Sequence, residues 1–130
     1  NVQTMLEMYG TPKYIVWALG MNDGADSSGT PSSAWAIALN TLVGLCAKKG
    51  ITPILATIPT VPSINHEAKN ANVKSRDGIR YIDFAKAVGA SSSGQWYSGM
   101  LYTDNVHPTA LGAKALYNQI LLDFPEITFN

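Results

Sequence analysis

Two short polar clusters hold the side chains of this chain that are best suited to chemistry. Gly20-Met21-Asn22-Asp23 follows an apolar run, and Asp104-Asn105-Val106-His107-Pro108 precedes the last helical segment. The imidazole of His107 is a side chain that can accept and return a proton, and the Asp104 carboxylate can bind one of its ring nitrogens if the intervening residues form a turn. The amide of Asn22 can donate to a developing oxyanion. Alone, the first cluster is also typical of a turn and the second of an exposed helix cap.

Alternating apolar and capped segments predict the elements that position these clusters. Strands are expected at 14–19, 51–58 and 79–84, and helices at about 31–49, 63–76 and 108–124. This order implies right-handed crossovers and a parallel sheet with helices on its faces, which is the α/β class. In such sheets, functional groups gather just beyond the carboxyl ends of the strands. Both clusters are expected at or near such positions.

The two clusters together resemble a known family. Gly-x-Asn-Asp after a strand, followed by Asp-x-x-His-Pro before the terminal helix, is similar to blocks III and V of the SGNH hydrolases, the GDSL-like lipases and esterases. The resemblance covers about residues 14–124. It implies a flavodoxin-like, three-layer α/β/α fold with a parallel sheet, of which this chain is the C-terminal portion.

The resemblance also implies roles for the site residues. His107 is the expected base and Asp104 its orienting carboxylate, in a serine-hydrolase mechanism. Asn22 is the expected oxyanion-hole asparagine, supported by Gly20, which permits a close turn, and by Asp23, which is expected to stabilise the loop through local hydrogen bonds.

The family's nucleophile is missing from its expected place. The Gly-Asp-Ser block of the first strand is not found, and Ser27 and Ser28 follow the asparagine cluster, so they are interpreted as loop residues. Three strands are also fewer than such a sheet usually has. We therefore expect the N-terminal strands and the serine to lie on a segment upstream of Asn1. The strand at 14–19 would then lack a neighbour, and an unpaired apolar edge predicts association with a complementary fragment or a second copy.

The composition excludes several other functions. The 130 residues are 46% hydrophobic and suit one domain over 1–130 with a continuous core. Lys plus Arg and Asp plus Glu number 9 each, so no basic surface for nucleic acid or an anionic membrane is expected. No apolar run approaches the ~20 residues of a membrane span. The spacing of Cys46, His66 and His107 does not suit a metal site, and no cofactor is expected.

Other residues receive simpler interpretations. Cys46 is expected in the core, and His66, next to Glu67 on a polar helix, on a solvated face. Trp96, Tyr97 and Tyr102 either line an acyl or sugar pocket or pack the long loop that contains them.

Three functions follow as hypotheses. The first is hydrolysis of a small ester, an acylated carbohydrate in preference to a lipid, with a secreted or periplasmic location implied by family analogy alone. The second is an inactive binding or assembly module with the same fold. The third, a Rossmann-like nucleotide binder, is disfavoured because neither Gly-x-Gly-x-x-Gly nor a phosphate loop occurs.

Overall fold

The fold alternates helices with three parallel strands. A computed structural model describes residues 1–24, 26–27 and 29–127. In chain order the elements are α1 (Val2–Tyr9), β1 (Tyr14–Trp17), α2 (Ser33–Lys49), β2 (Thr52–Ala56), α3 (Glu67–Lys74), β3 (Arg80–Ile82), α4 (Phe84–Ala87), α5 (Ala110–Asp123) and a 3-10 helix (Pro125–Ile127). The predicted α/β class with a parallel sheet is confirmed.

The sheet has the order β1-β2-β3, with β2 in the centre. Val16 is in register with Ile54, and Leu55 with Tyr81. Pro53 is tolerated in this central strand because the backbone N–H of Thr52 donates to β1 while that of Thr57 donates to β3. By alternation, the nitrogen of Pro53 points toward the β3 side before β3 begins, so no ladder bond is lost.

Helices cover both faces of the sheet and make three layers. On one face, Trp35 and Leu39 of α2 pack with Leu55 of β2 and Val73 of α3. On the other face, Ile54 and Ala56 of β2 and Ile82 of β3 pack with Phe124, which follows α5. Side chains of β2 alternate between the two clusters, as expected of a strand buried on both faces. Cys46 is buried beside Leu42 and Ile51, as predicted.

The structure corrects several predicted boundaries. Helix α1 was not predicted; Asn1 caps it by accepting a hydrogen bond from the Thr4 backbone N–H, and it has no fully buried residue. The third strand ends at Ile82 instead of residue 84, because the Asp83 side chain caps α4 by accepting from the Lys86 N–H. The predicted helix at 63–76 is shorter, and it does not lie fully on the surface, because Lys69 and Asn70 of α3 are buried.

Strand β1 forms one edge of the sheet. The Lys13 carbonyl accepts from the Thr52 N–H, so by alternation Ile15 and Trp17 bond to β2 while the backbone groups of Tyr14 and Val16 face outward. The side chains of Val16 and Leu19 are 43% and 61% exposed. Two cavities lie beside this strand, one of about 670 Å³ between Trp17 and α2 and one of about 410 Å³ between Ile15 and α1.

Candidate active site

A tight turn brings Asp104 and His107 together. Asn105 adopts a positive φ of 59°, a conformation that asparagine tolerates better than most residues. The turn lets Asp104 Oδ1 accept the backbone N–H groups of Val106 at 2.9 Å and His107 at 3.0 Å. The other carboxylate oxygen, Oδ2, lies 2.8 Å from His107 Nδ1. One carboxylate therefore holds both the loop and the imidazole.

The hydrogen bonds of Asp104 set its charge and the tautomer of His107. The backbone N–H groups of His107 and Val106, followed by the His107 side chain, lower the pKa of Asp104 from 3.8 to about 2. The carboxylate is therefore ionised near neutral pH and only accepts hydrogen bonds, so Nδ1 must be the donor. Nε2 of a neutral His107 is then unprotonated. The side chain is 75% exposed, which leaves this nitrogen accessible as a base.

Short bridges fix the two ends of this loop. Tyr102 donates its backbone N–H to the His107 carbonyl at 2.8 Å, and Leu101 forms an antiparallel bridge with Pro108. The prediction that Pro108 is the first helical residue is wrong. Thr109 is the N-cap of α5, and its hydroxyl accepts the N–H of Gly112. Pro108 instead ends the bridged segment, and the helix begins two residues later, at Ala110.

Gly112 allows α5 to pack against this loop. A Cβ at this position would lie 2.3 Å from the Met100 carbonyl oxygen and 3.1 Å from Pro108 Cβ. Met100 is bound to the start of α5, since its carbonyl accepts the Thr109 N–H at 2.9 Å. The backbone contact at Gly112 therefore sets where the His107 loop lies on the helix.

Gly112→Ala is expected to lower the free energy of unfolding by about 1–3 kcal/mol, because a backbone carbonyl must move to admit the methyl group. The matched control is Gly44→Ala in α2, where a Cβ meets nothing within 4 Å. That substitution should stabilise the protein by up to about 1 kcal/mol through helix propensity. Urea denaturation of both variants measures the difference, and equal stabilities would contradict the packing role of Gly112.

The first polar cluster forms the loop after β1. Gly20 has a φ of 135°, and a Cβ there would lie 2.4 Å from Ile58 Cδ1 and 2.6 Å from Trp35 Nε1. The Trp35 indole fills this space and donates to the Leu19 carbonyl at 3.1 Å. Only glycine fits this conformation and contact. Asp23 donates its backbone N–H to the Gly20 carbonyl, while the side chain of Asn22 is exposed.

The first cluster lies at the carboxyl end of the sheet, where part of the loop that precedes the second cluster is also held. Gly20 packs against Ile58, just beyond β2. The long loop that leads to His107 is held at the same end, because Trp96 Nε1 donates to the Thr60 carbonyl at 2.8 Å. Over the part of the chain that the structure describes, no hydrogen bond links Asn22 to the Asp104–His107 pair.

The prediction that His66 is solvated is wrong. His66 is fully buried, and its Nε2 lies 3.3 Å from Met21 Sδ in the loop after β1. Burial, followed by the charge of Lys69, lowers its pKa from 6.5 to about 4, so it is neutral at neutral pH. The sequence placed it on a polar face because its partner is distant along the chain.

Two other buried polar residues were not singled out from the sequence. Lys69 has no exposed surface and binds Asp26, also in the loop after β1. Asn70 accepts the Ile58 N–H at 2.7 Å and donates to the Ile58 carbonyl at 2.8 Å, which fixes the backbone beyond β2. A lysine and an asparagine in a helix carry no signal of such contacts.

The other residues considered as candidates from the sequence make no described side-chain hydrogen bond to the Asp104–His107 pair. Ser27 forms an antiparallel bridge with Thr30, and Ser28 lies outside the described residues. Tyr97 and Tyr102 are 60% and 56% exposed. Across residues 1–24, 26–27 and 29–127, no group of three or more His, Cys, Asp or Glu side chains has the arrangement of a metal site. Within the same ranges, no helix is both long and apolar enough to cross a membrane.

Comparison with known proteins shows a likeness of fold to a solved structure. No protein-family model and no curated protein sequence matches the chain. A solved structure of a GDSL-like lipase from Bacteroides thetaiotaomicron VPI-5482 is similar, with a TM-score of 0.70 and 16% sequence identity. The match covers 98% of this chain and 70% of the lipase chain. The chain therefore shares the α/β fold of a GDSL-like lipase.

Proposed function

We propose that this chain supplies the Asp-His pair and an oxyanion donor of a serine ester hydrolase. The observation that carries the proposal is the 2.8 Å contact between His107 Nδ1 and Asp104 Oδ2, which leaves Nε2 available as a base. The likeness of the fold to a GDSL-like lipase supports the same class of reaction.

In the proposed reaction, His107 Nε2 accepts the proton of a serine hydroxyl as the serine oxygen attacks the ester carbonyl. Asp104 stabilises the imidazolium, and the Asn22 amide donates to the carbonyl oxygen as it becomes negative. His107 then returns the proton to the leaving alcohol, which leaves an acyl-serine. Water attacks this acyl group with His107 again as the base, releasing the carboxylic acid and restoring the serine.

The nucleophile in this proposal is a serine outside the 130 residues. Within the described residues no serine hydroxyl contacts His107, and Ser27 is engaged in its own bridge with Thr30. The match covers 70% of the lipase chain, so part of that fold has no counterpart in these residues. We place the serine on a segment whose strand pairs in parallel with the open edge of β1.

The proposed substrate is an acylated carbohydrate, with lipid esters as the second class. Tyr102 lies on the His107 loop and is 56% exposed, and an exposed aromatic side chain suits stacking on a sugar. The GDSL-like lipase likeness favours lipid esters instead. Rates on an acetylated oligosaccharide and on a long-chain p-nitrophenyl ester separate the two classes.

A serine-directed fluorophosphonate probe tests the proposed function. Residues 1–130 alone should remain unlabelled, whereas the protein with the serine-bearing segment should be labelled on that segment. The His107→Ala variant of the assembled protein should lose labelling, and Ser27→Ala should retain it, because Ser27 has no role in the proposed site. Labelling of residues 1–130 alone would show that the nucleophile has been misplaced.

The second candidate is an inactive assembly module with this fold. The open edge of β1 favours it, because exposed strand edges pair readily with other chains. Absence of probe labelling and of ester turnover in the assembled protein would support this candidate. Sedimentation of residues 1–130 then shows whether the edge is occupied by a second copy, which would appear as a dimer.

A further inference from the structure

A buried polar cluster joins the loop after β1 to the start of α3. Lys69 has no exposed side-chain surface, and the side chain of its partner Asp26 is only 5% exposed. Nζ of Lys69 lies 2.6 Å from Asp26 Oδ1, and the second carboxylate oxygen accepts the Lys69 backbone N–H at 2.9 Å. Buried charges of this kind are costly unless they are fully paired.

The ammonium group of Lys69 has a partner for each of its three protons. Besides Asp26, it donates to the Gly24 carbonyl at 2.7 Å and approaches His66 Nδ1 at 3.5 Å. Because a lysine ammonium can only donate, His66 Nδ1 must accept. The proton of the neutral imidazole is therefore on Nε2, where it points to the sulfur of Met21 at 3.3 Å.

These contacts hold the loop on both sides of Asn22. Met21 precedes Asn22 and is held by His66, while Gly24 and Asp26 follow it and are held by Lys69. The side chain of Asn22 is itself exposed, and over the described part of the chain no hydrogen bond fixes its amide. Its position therefore depends on the backbone that the buried cluster holds.

We propose that Lys69 and His66 are positioning residues that hold Asn22 in place to donate to the oxyanion. This inference rests on the proposed function, because it assigns the cluster to the same site. Lys69 contacts no reacting atom; it acts through Gly24 and Asp26 on the backbone that carries the Asn22 amide. A donor that is misplaced by about 1 Å loses much of its effect on the transition state.

Two variants separate this role from a general loss of stability. Lys69→Met alone leaves the Asp26 carboxylate buried without its cation and is expected to destabilise the fold. The double variant Asp26→Leu with Lys69→Met removes both charges, so the fold should persist while the loop loses its anchors. Lys114→Met in α5 is the matched control, because Lys114 is exposed on a helix away from this cluster.

The first measurement is amide hydrogen exchange in residues 1–130. In the double variant, exchange at residues 20–24 should be at least about tenfold faster than in the parent, with exchange in β2 unchanged and with Lys114→Met equal to the parent. Unchanged exchange at 20–24 in the double variant would overturn the inference, whether or not the protein is a hydrolase.

The second measurement is ester turnover by the protein assembled with its serine-bearing segment. The double variant should lower kcat by about 10- to 100-fold at an unchanged KM, since the oxyanion forms only after binding. In an Asn22→Ala background the same double variant should change kcat less than about twofold, because Lys69 acts through Asn22.

Equal losses in both backgrounds would show that Lys69 does not work through Asn22. A normal kcat for Asn22→Ala itself would refute the proposed oxyanion role, while the exchange result would still decide whether the cluster holds the loop.

Discussion

His107→Ala is expected to reduce ester turnover by the assembled protein by about 10⁴-fold or more, because His107 is the proposed base of the reaction. The cost to stability should be small, since the ring is 75% exposed and its ion-pair partner Asp104 is 43% exposed. Initial rates on a p-nitrophenyl ester, with circular dichroism of the same samples, measure both effects.

Thr103→Ala is the control for this variant, because Thr103 is exposed on the same loop and forms no described hydrogen bond with His107. Its turnover should stay within about twofold of the parent, as is usual for surface substitutions away from a site. A His107→Ala protein with normal turnover would refute the assignment of His107 as the base. Loss of turnover in both variants would indicate a damaged loop instead.

The parts of the fold that sequence reasoning predicts are those fixed by local patterns. Apolar runs predict all three strands, of which β2 is the most buried, although all three end earlier than expected. The Asp104–His107 contact is also predictable, because only two residues separate the partners and a turn brings them together. Helix α1 was not predicted, and it differs from the longer helices in having no fully buried residue.

The parts that sequence reasoning misses depend on distant partners. Lys69 and Asp26 are separated by 43 positions, and His66 and Met21 by 45. Nothing in the local sequence distinguishes a lysine that will be buried in an ion pair from one that stays in water. Gly112 is missed for the same reason, since its contact with the Met100 carbonyl arises only when α5 folds back on the loop.

The Asp104 oxygen that faces His107 Nδ1 sets the tautomer of the imidazole. Asp104→Asn tests this directly, because it replaces one of the two carboxylate oxygens with an NH₂ group. Oδ1 accepts two backbone N–H groups, so the amide oxygen of the new asparagine should occupy that position. The amide NH₂ would then face His107 Nδ1, which must accept. The imidazole proton moves to Nε2, and the base is lost. Turnover near neutral pH should fall by about 10⁴-fold, with the loop geometry retained.

The pH dependence gives a second test of the same pair. The pKa of Asp104 is lowered to about 2, so its ionised form is favoured by the folded state. The resulting stabilisation is present above the ordinary pKa of 3.8 and is lost as the pH falls through about 2.

The acid limb of kcat/KM above pH 4 should therefore report protonation of the base and not of Asp104. In Asp104→Asn the low rate should show no recovery between pH 5 and 9. Asp77→Asn, which changes an exposed carboxylate in the turn before β3, should keep the parent rate and profile. An Asp104→Asn protein with the parent rate would mean that the carboxylate does not set the tautomer, and the Asp-His assignment would then be wrong.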